Sequence, residues 1–274
     1  MNTTLTTEPT ARATPGRPTS LAAAATIWRK HVGKFLGNAE ELFGVIVQPI
    51  LWVVLFGVGM RSAVAIGAGA GDDYVGFMLP GIVALSAMGG AIGGGMVWLD
   101  ERVRGIVREY LVAPVPRLSI LLGNVGSTLT KSLVQAFVIF IVGMLMGAVV
   151  RGDVVSWLLA LVLLVGYAAG FSGLALAVAS ITDDLMAYHS MIMLLNLPVL
   201  FLSSALYPLS ALPTWMKVGA LANPTTYLVE GMRGTVLGGS SDLPLLLSLA
   251  VTSAFAVLGV AIASRAFAAK TKRG

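Results

Sequence analysis

Between Asp100 and Arg117 the chain reads DERVRGIVREYLVAPVPR. Three acids and four arginines (Arg102, Arg104, Arg108 and Arg117) gather there, between apolar runs long enough to cross a bilayer. Carboxylates and guanidinium groups in this pattern make ion pairs and docking contacts. A charged segment wedged between two spans cannot sit in hydrocarbon, so it lies at the water-facing surface. Wound as a helix, it puts Val103, Ile106, Val107, Tyr110 and Leu111 on one face and Glu101, Arg104 and Arg108 on another. Pro114 and Pro116 then stop the helix, because each removes a backbone donor and restricts the residue before it. The spacing predicts a short, stiff coupling helix over Glu101–Tyr110, able to take up a push from outside the chain. The same arginines would also serve simply to hold the loop on one side of the membrane, and both readings stand.

Composition narrows the rest. Hydrophobic residues make up 57% of the 274 positions, charged ones 11%, and the mean hydropathy is +0.88. A soluble domain carries about a quarter charged residues, so the fold class is an all-α polytopic membrane protein. Cysteine is absent, which excludes disulfides and thiolate metal sites. The two histidines, His31 and His189, lie far apart, and no metal site is expected. The net charge of +5 reports orientation rather than nucleic acid. No G-x-x-x-x-G-K-[ST] run exists to cradle a nucleotide phosphate. The expected spans hold no ionisable group except His189, so ion coupling lacks a carrier. A membrane enzyme would need a nucleophile–base pair or metal cluster, and an ion channel would need charged rings; neither pattern is found.

The elements that position these residues follow from periodicity. Residues 1–20 have no apolar core and are expected to be a disordered tail. From Leu21 to Phe43, Trp28, Val32, Phe35, Leu36, Ala39, Leu42 and Phe43 fall on one side, with Lys30, Lys34 and Glu41 opposite. This predicts a helix in the membrane interface, or one packed on protein. With about 20 residues per crossing, six spans are expected. They are Leu42–Met60, Tyr74–Trp98, an amphipathic approach Leu118–Lys131 continuing through about Val150, Val154–Ile181, Met186–Leu209 and Leu243–Ser264. Fourteen of the eighteen Lys and Arg fall on the side of the termini and the charged segment. That side is expected to be cytoplasmic, with both termini and a basic tail from 265 to 274 on it. Ser210–Asp242, on the other side, is too short and too polar for two spans, and reads as re-entrant or interfacial helices.

Polar residues within the spans are few. Gln135, Asn196 and Ser203, with Phe201, either pack between helices or line a pathway. Gly89, Gly90, Gly93 and Gly94 make small-xxx-small pairs, as do Gly166 and Gly170. In the outer segment, Glu230 and Arg233 can pair at i, i+3, and Asn223 can cap a helix that has Pro224 at its first position.

Two motifs in different places carry a resemblance. Glu101…Gly105…Leu111…Pro114…Arg117…Gly123 is one. Asn223-Pro224-Thr225-Thr226-Tyr227 followed by Glu230 and Arg233, with Leu212-Pro213-x-Trp215 and Pro208 upstream, is the other. Together they resemble the permease subunits of type-2 ABC exporters, most of all the daunorubicin-resistance type, over residues 40 to 264. The resemblance implies a transmembrane domain over residues 21–264 in the plasma membrane. It implies a second permease copy in a homodimer and two copies of a separate ATPase subunit that binds ATP and magnesium. It assigns coupling to Glu101, Arg102, Arg104, Gly105, Arg108, Glu109, Pro114 and Arg117. An outer gate scaffold falls to Asn223, Pro224, Tyr227, Glu230 and Arg233. The expected cargo is drug-like or otherwise amphipathic, or alternatively a lipid-linked glycan or other envelope precursor. Ile106 and Asn124 stand where many relatives carry threonine and lysine, which bears on the ATPase contacts.

Overall fold

The computed structural model describes residues 20–64, 74–107, 116–239 and 241–270. Among them are nine α-helices: α1 (Ser20–Gly37), α2 (Ala39–Val64), α3 (Tyr74–Val103), α4 (Arg117–Leu145), α5 (Val154–Ile181), α6 (Leu185–Phe201), α7 (Thr214–Ala222), α8 (Pro224–Thr235) and α9 (Leu245–Lys270). Five contain stretches long and apolar enough to cross a membrane, at Ala39–Val58, Tyr74–Val103, Leu118–Leu145, Val154–Ile181 and Leu245–Phe267.

α3 runs through the middle of the bundle. Leu79, Ile82, Val83, Ala84, Ala87 and Ala91 are buried along it, against Ile139 and Phe140 of α4 and Leu163 and Tyr167 of α5. α5 and α9 pack backbone to backbone. A Cβ on Gly173 would collide with the Gly259 carbonyl, and one on Gly259 with that of Gly170, the close approach that glycine permits in lipid.

The amphipathic stretch expected from Leu21 to Phe43 is two helices. Asn38 breaks it: its Oδ1 accepts the amide N–H groups of Glu40 (3.1 Å) and Glu41 (3.3 Å), capping α2. The buried face of α1 is Ala23, Ile27, His31 and Phe35, turned from the predicted one so that Trp28 and Leu36 stay exposed. The third crossing ends at Leu145 instead of about Val150. Gly147, at φ +101°, lets the chain turn back, so that Gly147 N–H bonds Met144 O and Ala148 N–H bonds Gly143 O, satisfying the last carbonyls of α4.

The expected fifth span, Met186–Leu209, is also shorter: α6 starts on Asp184, which caps Met186 and Ala187, and stops at Phe201. Its 17 residues reach about 26 Å at 1.5 Å each, at the lower limit for a crossing. Apolar composition continues to Leu209, so the break has another cause. Asn223 Nδ2 donates to the carbonyls of Val199 (2.7 Å) and Leu202 (2.6 Å), which satisfies the helix end there. The expected re-entrant segment is two short helices, α7 and α8, of which α8 is buried against α3, α5 and α9.

Candidate functional site

Three clusters hold the residues singled out by sequence. The first is the elbow at the end of α3. Over its described part, Glu101–Val107, the predicted helix Glu101–Tyr110 is interrupted: Glu101 and Arg102 belong to the last turn of α3, and Arg104-Gly105 makes a turn before Ile106 and Val107 resume helical geometry. Gly105 sits at φ +82°, which a side chain would strain. Arg108, Glu109 and Pro114 lie outside the described residues, and Arg117 begins α4.

Glu101 and Arg104 therefore do not share a face. Glu101 is buried, and its Oε1 accepts from Lys30 Nζ at 2.8 Å, with His31 Nε2 at 3.5 Å, so it holds α1. Arg102 points the other way, into the end of α5. Its guanidinium donates to the carbonyls of Ala179 (2.8 Å), Ser180 (2.5 Å) and Thr182, and to Asp183 Oδ1 (2.7 Å). A helix end carries unpaired carbonyls and partial negative charge, and an arginine fork satisfies both. Arg104 stays largely exposed, paired with Asp100 at 2.8 Å. Val107 joins Ile27, Leu99 and Ile120 in the core beneath the elbow. Lys30, His31 and Asp183 were not singled out from sequence as partners, because contacts across 70 to 80 residues leave no local pattern.

The second cluster is a cavity of about 330 Å³ enclosed by α2, α3, α4 and α6. It brings together Gln135 and Asn196, and leaves out Ser203, whose buried hydroxyl bonds Leu200 O, and Phe201, which is exposed. Pro49 explains why Gln135 is there. Proline has no N–H, so the carbonyl four residues earlier, that of Val45, has no helical partner. Gln135 Nε2 donates to it at 3.4 Å. The amide's other end, Oε1, is buried with no hydrogen-bond partner and lies over Gly90. At the cavity mouth Lys131 pairs with Glu41 and stands 5.0 Å from the Phe35 ring. Both charges lie inside candidate spans, which corrects the expectation that His189 is the one ionisable group there. The polar approach Leu118–Lys131 is the first half of α4 itself. Of the glycine pairs, Gly90 and Gly94 pack on α4, whereas Gly89 and Gly93 face open space.

The third cluster is the block around Asn223 and Arg233, which the sequence leads one to expect on the outer side. Asn223 Oδ1 accepts Thr225 N–H (3.0 Å) and Pro224 follows at the first helical position, as its sequence predicts. Arg233 pairs with Glu230 at 2.5 Å, donates to Ser204 O (3.1 Å) and Phe77 O (3.3 Å), and lies 3.8 Å over the Phe77 ring. Glu230 Oε2 also accepts from Asp242 N–H (2.9 Å) and Ser241 (3.3 Å), so its burial is compensated. Burial lowers the Arg233 pKa and the facing Glu230 and Asp242 oppose that; arginine stays charged. Tyr227 donates to Leu221 O (2.7 Å), tying α8 to α7. Arg233 Nε alone of that guanidinium is buried without a partner; the arrangement is a scaffold of paired charges, not a catalytic pair.

Residues 23–237 match the model of the ABC-2 type transporter family. The chain belongs to that family. Among its relatives is the inner membrane transport permease YadH of Escherichia coli, 27% identical over 242 residues, covering 86% of this chain and 90% of that one. The putative transport permease ycf38 of Cyanophora paradoxa is 32% identical over 196 residues, 70% of this chain and 66% of the relative, so the chain spans about two thirds of that relative's length. The probable doxorubicin resistance ABC transporter permease protein DrrC of Mycobacterium tuberculosis is 27% identical over 221 residues, 79% of this chain and 78% of that one. The chain is thus an ABC-2 transport permease, a transporter component of the membrane.

Proposed function

We propose that this permease is the membrane-spanning subunit of an ATP-driven exporter of drug-like, amphipathic molecules. It works as a homodimer with two copies of a separate ATPase in the plasma membrane, both termini cytoplasmic. The observation that carries the reading is the elbow. Glu101 ties it to α1 and Arg102 ties it to the end of α5, while Arg104 and the Gly105 turn project from the end of α3. A force applied at Arg104–Val107 is passed to three helices together. In this reading ATP and magnesium bind the partner subunit. The permease holds its elbow in a cleft of that partner, and closure of the two ATPases moves α1, α3 and the α5 end as one piece. The doxorubicin-resistance permease among its relatives supports a drug-like cargo.

The test is co-expression with a candidate ABC ATPase subunit, reconstitution in lipid discs, and measurement of ATP hydrolysis with and without candidate drugs. Glu101→Gln and Arg104→Ala are expected to assemble with the ATPase but lose cargo-stimulated hydrolysis. Wild-type stimulation in a fully assembled variant complex removes the elbow from the mechanism. Stimulation by a lipid-linked glycan but by no drug overturns the cargo assignment and favours an envelope precursor.

A further inference from the structure

We propose that the cavity between α2, α3, α4 and α6 selects a net-neutral, zwitterionic amphiphile carrying a primary ammonium, the headgroup chemistry of an aminophospholipid. Glu41 and Lys131 are the charged side chains that line the cavity, and they face each other at its mouth. Their charges cancel. A ligand with a net charge would leave one charge uncompensated in a low-dielectric space, whereas a zwitterion exchanges one ion pair for two. The Lys131 ammonium stands 5.0 Å from the Phe35 ring at the mouth, where a phosphate would meet it.

Hydrogen bonding then separates one zwitterion from another. Gln135 is 6% exposed, and its Nε2 is committed to the carbonyl that Pro49 orphans. One N–H of the amide and Oε1 remain, and Oε1 is an acceptor buried beside Gly90 without a partner. A buried acceptor demands a donor. A primary ammonium offers three N–H groups, enough for Glu41 and Gln135 together; a quaternary ammonium offers none. Gln135 lies one helical turn beyond Lys131 and Gln48 two turns beyond Glu41, so the polar groups continue inward from the mouth.

Shape completes the case. A Cβ on Gly89 or Gly93 would meet nothing within 4 Å. These two positions, one turn apart on α3, leave a flat floor with room for a headgroup. A second groove of about 410 Å³ shares Gly44, Gln48 and Trp52 with the cavity and runs along the exposed apolar face of α2 past Phe43, Leu51 and Leu55. It gives an acyl chain a path from the cavity to the bilayer. Glu41 is the third residue of the first apolar span, which sets the mouth at headgroup level.

The inference rests on the exporter reading only in treating this ligand as cargo; recognition itself is testable on the permease alone. Short-chain phosphatidylethanolamine, phosphatidylcholine and phosphatidylglycerol would be titrated onto the purified chain by native mass spectrometry, with tail-less O-phosphoethanolamine as a fourth probe. The expected result is one phosphatidylethanolamine per chain, bound at least tenfold tighter than the other three. Gly93→Leu, whose Cβ would meet nothing within 4 Å, is expected to weaken that binding at least tenfold with an unchanged melting temperature. Gln135→Leu is expected to abolish the preference over phosphatidylcholine. Equal binding of phosphatidylcholine, tighter binding of phosphatidylglycerol, or undiminished binding in a folded Gly93→Leu or Gly89→Leu chain would each overturn the proposal. O-phosphoethanolamine binding as well as the lipid would refute the lipid assignment. Lipid selectivity that persists in a complex showing no coupled hydrolysis would sink the exporter reading and leave this one standing.

Discussion

Replacing Arg102 by methionine keeps the length and apolar stem of the side chain and removes its fork. Three of the lost bonds go to backbone carbonyls at the end of α5, and the fourth to Asp183. Each charge-assisted bond contributes about 1.5–3 kcal/mol. Asp183 is 80% exposed and adds at most about 1 kcal/mol. Because the three carbonyls share one guanidinium and water can reach a helix end, their sum falls short of simple addition, and the cost is about 3–5 kcal/mol. For a chain of this size that lowers the melting temperature by roughly 6–15 °C. Thermal unfolding in detergent reads the total, and amide exchange over residues 179 to 183 reads where it is lost. Asp183→Asn is expected to cost under about 1 kcal/mol, and Arg102→Lys to restore less than half of the stability, since an ammonium cannot reproduce the fork. The reasoning fails if Arg102→Met melts with the wild type, or if Asp183→Asn is as damaging as Arg102→Met.

Three further outcomes follow from the same geometry. Gln135→Leu should destabilise the wild type by about 1 kcal/mol but a Pro49→Ala background by near zero, since alanine restores the helical partner of Val45 O; a double-mutant cycle in denaturant measures the coupling. Gly105→Ala should cost about 1–2 kcal/mol through its positive φ, and in the reconstituted complex should reduce coupled hydrolysis more than assembly. Asn223→Asp should be at least as damaging as Asn223→Ala, about 2 kcal/mol by thermal unfolding. Aspartate keeps the α8 cap but turns a carboxylate oxygen toward the carbonyls of Val199 and Leu202, although the two residues rank alike as ordinary caps.

What local sequence reveals here is whatever local physics decides. Long apolar runs mark the candidate span Val154–Ile181 to the residue and the start of the one at Tyr74, whose helix runs on to Val103 past the expected end at Trp98. The Asn223–Pro224 cap and the Glu230–Arg233 pair were legible because their partners lie within three residues. The end of α6 was not, because the side chain that satisfies it comes from Asn223, more than twenty residues on. The elbow divides in the same way. Its charges mark it plainly, yet the directions of Glu101 and Arg102 are set by Lys30 and by the α5 terminus, which only the packed bundle brings near. Pro49 is the instructive intermediate case: its sequence alone announces an unpaired carbonyl at Val45, and leaves open that Gln135 supplies the donor. A tally of cations places Lys131 between spans and periodicity places Glu41 on an interfacial helix, whereas pairing across helices puts both in candidate spans.

Asn223 uses its oxygen on the start of one helix and its nitrogen on the finish of another. A single carboxamide thus acts as a rivet through two rods. Sliding one rod past the other has to break the two bonds from that nitrogen, so the finish of α6 and the start of α8 are held together. At its other end α6 is fastened as well, where Tyr188 donates to the Ile92 carbonyl of α3 (2.8 Å), so the same helix is pinned near both ends.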